Sequence, residues 1–158
     1  MTQEEFIQVL DEKGYSYEIE GDKIIVTNED TVYLGSLTSL PPGVVFGNGG
    51  NVFLNSLTSI SPGVVFNNKG GVFLKSLKSL PHDMGFNNRG DIHLDSLTSL
   101  PSGVVFNNKG GVDLDSLTSF PPGVEFRNFG YVKLISLMGG YFDDWKGNIE
   151  GVDSKRLL

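Results

Sequence analysis

Residues 56–74 read SLTSISPGVVFNNKGGVFL, and residues 96–114 read SLTSLPSGVVFNNKGGVDL. The two segments align without gaps, and the same pattern recurs every 20 residues along most of the chain. Its consensus is S-L-T-S-L-P-x-G-V-x-F-x-N-x-G-x-V-x-L-x. A unit of this length cannot bury its own apolar face, so it must stack on its neighbours to form a shared core. The repeat therefore predicts a solenoid.

Apolar residues hold the same positions in successive units. The V-x-F and V-x-L segments alternate with period two, which is typical of strands with one buried face. Glycine, proline and asparagine separate these segments, as expected for turns. We therefore predict an all-β, single-domain β-solenoid, a parallel β-helix whose coils stack about 4.8 Å apart. The inward columns begin at Val32, Leu34, Leu37, Leu40, Val44 and Phe46 and recur at 20-residue intervals.

Three polar or small residues also recur in the units, and we interpret them as structural. Stacked asparagines at one corner can bond one another and the turn backbone. Serines can satisfy a second corner, and the glycines suit either a positive φ or a close backbone approach. The columns are Asn48, Asn68, Asn88, Asn108 and Asn128; Ser36, Ser56, Ser76, Ser96, Ser116 and Ser136; and Gly50, Gly70, Gly90, Gly110 and Gly130.

The two ends of the chain depart from the repeat. Residues 1–20 are predicted to form a capping helix and a lead-in strand, residues 21–137 the β-solenoid, and residues 138–158 a C-terminal cap. Thr2 and Glu5 have capping-box spacing, and Gly14 is placed to end the helix. The helix would turn Phe6, Val9 and Leu10 toward the core. Ile24, Val26 and Asn28 would form a degenerate first coil.

Aromatic residues in the C-terminal segment are expected to close the other end of the solenoid. The candidates are Tyr141, Phe142 and Trp145, while Val152 and Leu157 still fall on apolar columns.

The acidic charge is concentrated near the N-terminus. The net charge is −7, and residues 1–30 contain nine acidic and two basic residues, whereas residues 31–137 contain six acidic and seven basic ones. This distribution disfavours a basic nucleic-acid-binding body. The chain has no cysteine, no long apolar run and no pattern typical of a signal peptide. We therefore expect a cytoplasmic protein that needs no cofactor and does not enter a membrane.

The segment S-L-T-S-L-P resembles the short bacterial leucine-rich repeats, which use units of similar length with LTxLP and an asparagine turn. The rest of the unit supplies two strands where those repeats carry one. In this respect the chain is more similar to bacterial and phage β-solenoid proteins with short L-P-x-x-L-x-V-x-G-x-L-x-L units. The resemblance covers roughly residues 21–137 and implies the fold, but it carries no catalytic residues with it.

Function is expected where coils differ on the outward side. Tyr33, Phe53 and Phe73 occupy one outward column, and a row of exposed aromatic side chains is typical of a contact surface. The alternative is a cross-strand ladder that only stabilises the sheet. Val45, Val65 and Val105 form a second outward apolar column, through which two chains could associate.

The same outward face continues into a polar group of four residues: His93, Asp95, Asp113 and Asp115. Carboxylates close to a histidine are able to bind a divalent cation or to act as acid and base on a polysaccharide. The alternative is a solvated patch on a flat surface. A third outward column holds Lys69, Arg89 and Lys109, beside Asn67, Asn87 and Asn107. These basic side chains could contact phosphates. The alternative is that they only keep the protein soluble and protect its edges.

We therefore expect a non-enzymatic protein-interaction scaffold, whose size and acidity fit a phage or mobile-element inhibitor that binds a host protein. The first alternative is a small carbohydrate-active or metal-binding β-helix that uses the polar group. The second is a structural module that associates with itself as a homo-oligomer. The predicted partner-binding residues are Tyr33, Phe53, Phe73, His93, Asp95, Asp113 and Asp115. We expect no metal site and no bound nucleic acid.

Overall fold

The computed structural model describes residues 1–119, 121–138 and 140–142. It confirms the predicted β-solenoid: two seven-stranded sheets run along the stack, joined by turns. The first sheet contains β1 (Tyr17–Glu20), β2 (Lys23–Val26), β4 (Val44–Phe46), β6 (Val65–Phe66), β8 (Gly85–Phe86), β10 (Val105–Phe106) and β12 (Glu125–Phe126). The second contains β3 (Val32–Tyr33), β5 (Val52–Phe53), β7 (Val72–Phe73), β9 (Ile92–His93), β11 (Val112–Asp113), β13 (Val132–Leu134) and β14 (Gly140–Phe142).

The register of both sheets follows the 20-residue repeat. Val32 pairs with Val52 in the second sheet, and Phe46 pairs with Phe66 in the first, each in a parallel ladder. Five phenylalanines stack through the core with ring centroids 4.9–5.7 Å apart. The expected inward columns are buried in the described residues, with Leu137 only partly so; Phe120 lies outside those residues.

The N-terminal cap also forms as predicted. Helix α1 (Gln3–Lys13) starts at the reciprocal capping box of Thr2 and Glu5 and ends at Gly14, which is left-handed with φ 68°. Phe6 and Leu10 are fully buried against the first coil. The lead-in strand β1 pairs antiparallel with β2, so the helix and β1 together cover the first end of the solenoid.

The buried asparagine column holds one corner of each coil. Asn68 Nδ2 donates to the carbonyls of Gly50, Gly70 and Gly71, at 3.1, 3.0 and 3.2 Å. The asparagine side chains of this column therefore bond the turn backbone of their own coil and of the preceding coil. They do not bond one another, which the sequence had also suggested. Their Oδ1 atoms accept no hydrogen bond in the described residues. At the second corner, the Ser116 hydroxyl donates to the Asp95 carbonyl at 2.5 Å.

The repeated glycines divide into two kinds. In the column of Gly70, a Cβ would lie 2.6 Å from the Asn51 amide nitrogen, so this column serves close backbone approach and not positive φ. Positive φ belongs to a different column, where Gly63 has φ 80°. Asp83 takes this left-handed conformation in the coil that lacks the glycine, with φ 57°.

The C-terminal end of the described chain leaves the repeat after β13. A short helix, α2 (Ile135–Met138), replaces the serine-leucine turn, and β14 then pairs antiparallel with β13. The backbone of Tyr141 and Phe142 thus lies along the last parallel strand of the second sheet. The other predicted closing residues, Trp145, Val152 and Leu157, lie outside the described residues.

Candidate interaction face

Four rings form a continuous stack on the outer surface of the second sheet. The ring centroids of Tyr33 and Phe53 are 5.1 Å apart, those of Phe53 and Phe73 4.3 Å, and those of Phe73 and His93 4.5 Å. The planes of adjacent rings differ by no more than 15°. We call Tyr33, Phe53, Phe73 and His93 the aromatic ladder. Because the rings cover each other's faces, the ladder presents mainly ring edges outward.

Strand register creates this ladder. Tyr33 pairs with Phe53, Phe53 with Phe73, and Phe73 with His93, so each ring lies above the next at the same position of its coil. Tyr33, at the first strand, is 60% exposed, and the other three rings are half-buried. Gly71 leaves room for the Phe73 ring, because a Cβ there would approach Phe73 Cε2 to 3.2 Å.

Tyr15 closes the sheet edge beside the ladder. Its hydroxyl oxygen accepts a hydrogen bond of 2.8 Å from the Tyr33 backbone N–H. The outermost strand β3 thus has one of its edge donors satisfied by a side chain, which hinders another strand from pairing there.

The ladder continues into a charged group on the next two coils. His93 Nδ1 lies 2.7 Å from Asp113 Oδ2, and Lys133 Nζ lies 2.8 Å from Asp115 Oδ2. We call His93, Asp113, Asp115 and Lys133 the polar cluster. Lys133 compensates the charge of Asp115, and the His93 imidazole contacts the Asp113 carboxylate, so both carboxylates are engaged within the cluster.

Asp113 is the buried member of the polar cluster, with 7% of its surface exposed. Burial would raise the pKa of its carboxyl group, but His93, the Tyr131 hydroxyl and the charge of Lys133 together hold the pKa below its usual value. The alternative of a solvated patch on a flat surface therefore does not hold at Asp113, because its carboxylate is buried. This carboxylate holds the cluster together from inside and offers little surface to a partner.

Tyr131 and Lys133 belong to this site although the sequence analysis did not select them. The Tyr131 ring lies over Gly111, where a Cβ would be 2.4 Å from Tyr131 Cε1. The sequence did contain a signal for Tyr131: this large residue comes one coil after Gly111 in the same column. For Lys133 the signal was its position one coil after Asp113, which places opposite charges side by side.

The structure places the predicted partner-binding residues in two groups. It brings Tyr33, Phe53, Phe73 and His93 into one stack, and it engages Asp113 and Asp115 in ion pairs. Asp95 is half-buried, and its Oδ2 atom has no hydrogen-bond partner among the described residues. Within those residues, no group of three or more His, Cys, Asp or Glu side chains is arranged to hold a metal ion.

Searches against known protein families, curated proteins and solved structures give no match at the thresholds applied. In the described residues, no helix has the length and apolar character needed to cross a membrane.

Proposed function

We propose that this protein is a non-enzymatic scaffold that binds another protein through the aromatic ladder. One observation carries the proposal: three aromatic rings and an imidazole are stacked in order on the outer face of a sheet, and the first ring is 60% exposed. Large exposed aromatic side chains are the residue type that most often dominates protein interfaces.

Preorganisation supports this use of the ladder. Phe53 and Phe73 are each held between two rings, so a partner would not have to immobilise these side chains on binding. The outward edges of aromatic rings are electropositive, which favours contact with the face of an aromatic side chain or with carbonyl oxygens of the partner. The ladder therefore matches a flat surface that carries such groups.

The polar cluster has a supporting role in this proposal. Asp113 fixes His93 at 2.7 Å and so holds the last ring of the ladder in place. Asp95 and Asp115 remain partly exposed at the border of the ladder, where they would contact polar groups at the rim of the interface.

The proposed partner is a host protein, and the proposed context is a cytoplasmic phage or mobile-element inhibitor. The small size, the acidity and the rigid repeat support this choice. This role is the narrower part of the proposal and depends on identifying the partner.

The test compares two variants with equal numbers of substitutions on opposite sheets. Phe53→Ser with Phe73→Ser removes the middle of the ladder, and Val65→Ser with Val105→Ser changes the outer face of the first sheet as a matched control. Both variants are first shown to be folded by circular dichroism and thermal unfolding. Affinity capture from host lysate is then quantified by mass spectrometry.

The proposal predicts that one protein is retained by the native chain and by the valine control but not by the phenylalanine variant. Its binding is then confirmed with the purified partner. Equal retention by all three proteins would contradict the proposal, as would no retention by the native chain.

A further inference from the structure

A charged column runs along the asparagine corner, away from the aromatic ladder. Its members are Glu29, Gly49, Lys69, Arg89 and Lys109, at equivalent positions of successive coils. Backbone hydrogen bonds fix this register: the amide of each residue from Gly49 onward donates to the carbonyl of the corner asparagine one coil earlier, from Asn28 to Asn88, at 2.9–3.2 Å. We call these five residues the charged ridge.

The ridge stacks three like charges. Lys69, Arg89 and Lys109 are exposed and about one strand spacing apart, and none of them forms an ion pair with another described residue. Like charges at this spacing repel one another. On the second sheet, by contrast, the cation Lys133 is compensated by an ion pair with Asp115.

The first coil of the ridge has the opposite sign. Glu29 and its neighbour Asp30 are both exposed and form no ion pair with a described residue. They belong to the segment of residues 1–30, which holds nine of the 19 acidic residues of the chain. Along the solenoid axis the ridge therefore reads acid, glycine, base, base, base.

This order is complementary to itself when reversed. If a second copy runs antiparallel along the ridge, with the two-fold axis between the levels of Gly49 and Lys69, each Glu29 lies opposite the other copy's Arg89. Each Lys69 then lies opposite the other copy's Gly49, where no side chain intervenes. A two-fold axis makes every such contact twice, which is the usual symmetry of a homodimer.

The surface beside the ridge allows close approach. The adjacent column consists of Gly50, Gly70, Gly90 and Gly110, which carry no side chains. A Cβ at Gly90 would lie 2.4 Å from the Gly71 amide nitrogen, so the column is confined to glycine by the fold itself. The cations therefore stand beside bare backbone, open to carboxylates from another chain.

We propose that the charged ridge is an electrostatic self-pairing surface, which binds a second copy of this chain in antiparallel orientation. This self-pairing goes beyond the proposed scaffold function, because the charged ridge and the aromatic ladder are different surfaces. Exposed ion pairs are individually weak and are screened by salt. The resulting dimer is therefore reversible, forms at high protein concentration and low ionic strength, and dissociates as salt is added.

The test uses a zero-length carbodiimide cross-linker, which joins a carboxylate to a lysine amine in direct contact. Chains labelled with ¹⁴N and ¹⁵N are mixed at about 0.01 M salt and at about 0.5 M salt, which spans the range from weak to strong screening. Mixed-isotope cross-links from Glu29 or Asp30 to Lys69 or Lys109 are expected at low salt and not at high salt.

Charge reversal provides the decisive comparison. Variant one carries Lys69→Glu, Arg89→Glu and Lys109→Glu, and variant two carries Glu29→Lys and Asp30→Lys. Each variant alone is expected to lose roughly tenfold or more of the self-association measured by sedimentation at low salt. A mixture of the two variants restores it, because every contact in the mixed dimer again joins opposite charges.

The control is Lys75→Glu with Lys78→Glu, which reverses two exposed lysines outside the ridge and should leave the native self-association unchanged. The Phe53→Ser, Phe73→Ser variant should also self-associate as the native chain does. The proposal is wrong if no mixed-isotope cross-link forms, or if the mixture of reversed variants stays monomeric. It is equally wrong if the ridge lysines instead retain a single-stranded oligonucleotide while the chains remain monomeric.

Discussion

At the scale of single residues, a buried amide and a neighbouring glycine hold each coil to the next. The Nδ2 atom of Asn68 donates to carbonyls in two successive coils, so the side chain replaces hydrogen bonds that water would otherwise provide. Gly70 allows the same turn to lie directly against the preceding coil. The corner thus depends on both residues, one for its hydrogen bonds and the other for its lack of a side chain.

Asn68→Ala is expected to destabilise the protein by about 2–4 kcal/mol, because three hydrogen bonds are lost and buried carbonyls remain unpaired. Asn67→Ala is the matched control: Asn67 is adjacent and exposed, so its removal should change the free energy of unfolding by less than about 0.5 kcal/mol. Urea unfolding of both variants provides the comparison. Equal losses would show that the buried column does not hold the corner.

Asp113 predicts a specific dependence of stability on pH. Its pKa is lowered in the folded protein, so its stabilising contribution is present above the pKa of the unfolded chain, near 3.8, and is lost as pH falls through the lower folded value. Asp113→Asn should therefore be less stable than the native chain at pH 6, and the difference should shrink below pH of about 4. A difference that is constant between pH 6 and pH 2 would contradict this account of Asp113.

Sequence alone predicted Tyr33, Phe53 and Phe73 as an aromatic ladder, but it assigned His93 to the polar group and did not predict the state of Asp113. Tyr33, Phe53 and Phe73 share a column, and a strict period is sufficient to stack them. The Tyr131 ring crosses Gly111 and its hydroxyl reaches Asp113, a contact between two different columns. A column pattern shows which residues lie in line, but it does not show how side chains bend across neighbouring lines.

At the scale of elements, most strands have only two or three residues and depend on the stack for their stability. Such short strands cannot persist alone, and each is paired on both sides except at the ends of the sheets. The ends are therefore the places where added elements matter.

The capping box and the buried helix face could be predicted from the sequence, because both depend on local spacing. Helix α2 could not be, because its segment keeps the serine and leucine of the repeat.

Phe6→Ala tests whether α1 stabilises the first coil. The ring is fully buried, so its removal should cost about 3–5 kcal/mol. Hydrogen exchange should then increase first at the amides of Ile24 and Val26, next to the cap. Gln8→Ala, on the exposed side of the same helix, is the control and should cost less than about 0.5 kcal/mol. If Phe6→Ala left protection in the first coil unchanged, α1 would not act as a cap.

At the scale of the whole molecule, the solenoid is one core divided into equivalent layers. Each layer contacts its two neighbours, so stability is approximately a sum over layers and over the contacts between them. The period also explains why the fold was predictable as a whole. The Val, Leu and Phe positions of successive coils align only when each coil contains 20 residues. A coil of any other length would place polar residues in the core.

Deletion of one coil shows whether the 20-residue period sets the fold. Removing residues 61–80 preserves every column, whereas removing residues 61–79 shifts the following columns by one residue and turns inward side chains outward. We expect the first deletion to fold cooperatively in a urea titration, with a smaller m-value than the native chain, and the second not to fold as one unit. Equal behaviour of the two deletions, folded or unfolded, would show that the 20-residue period does not set the fold.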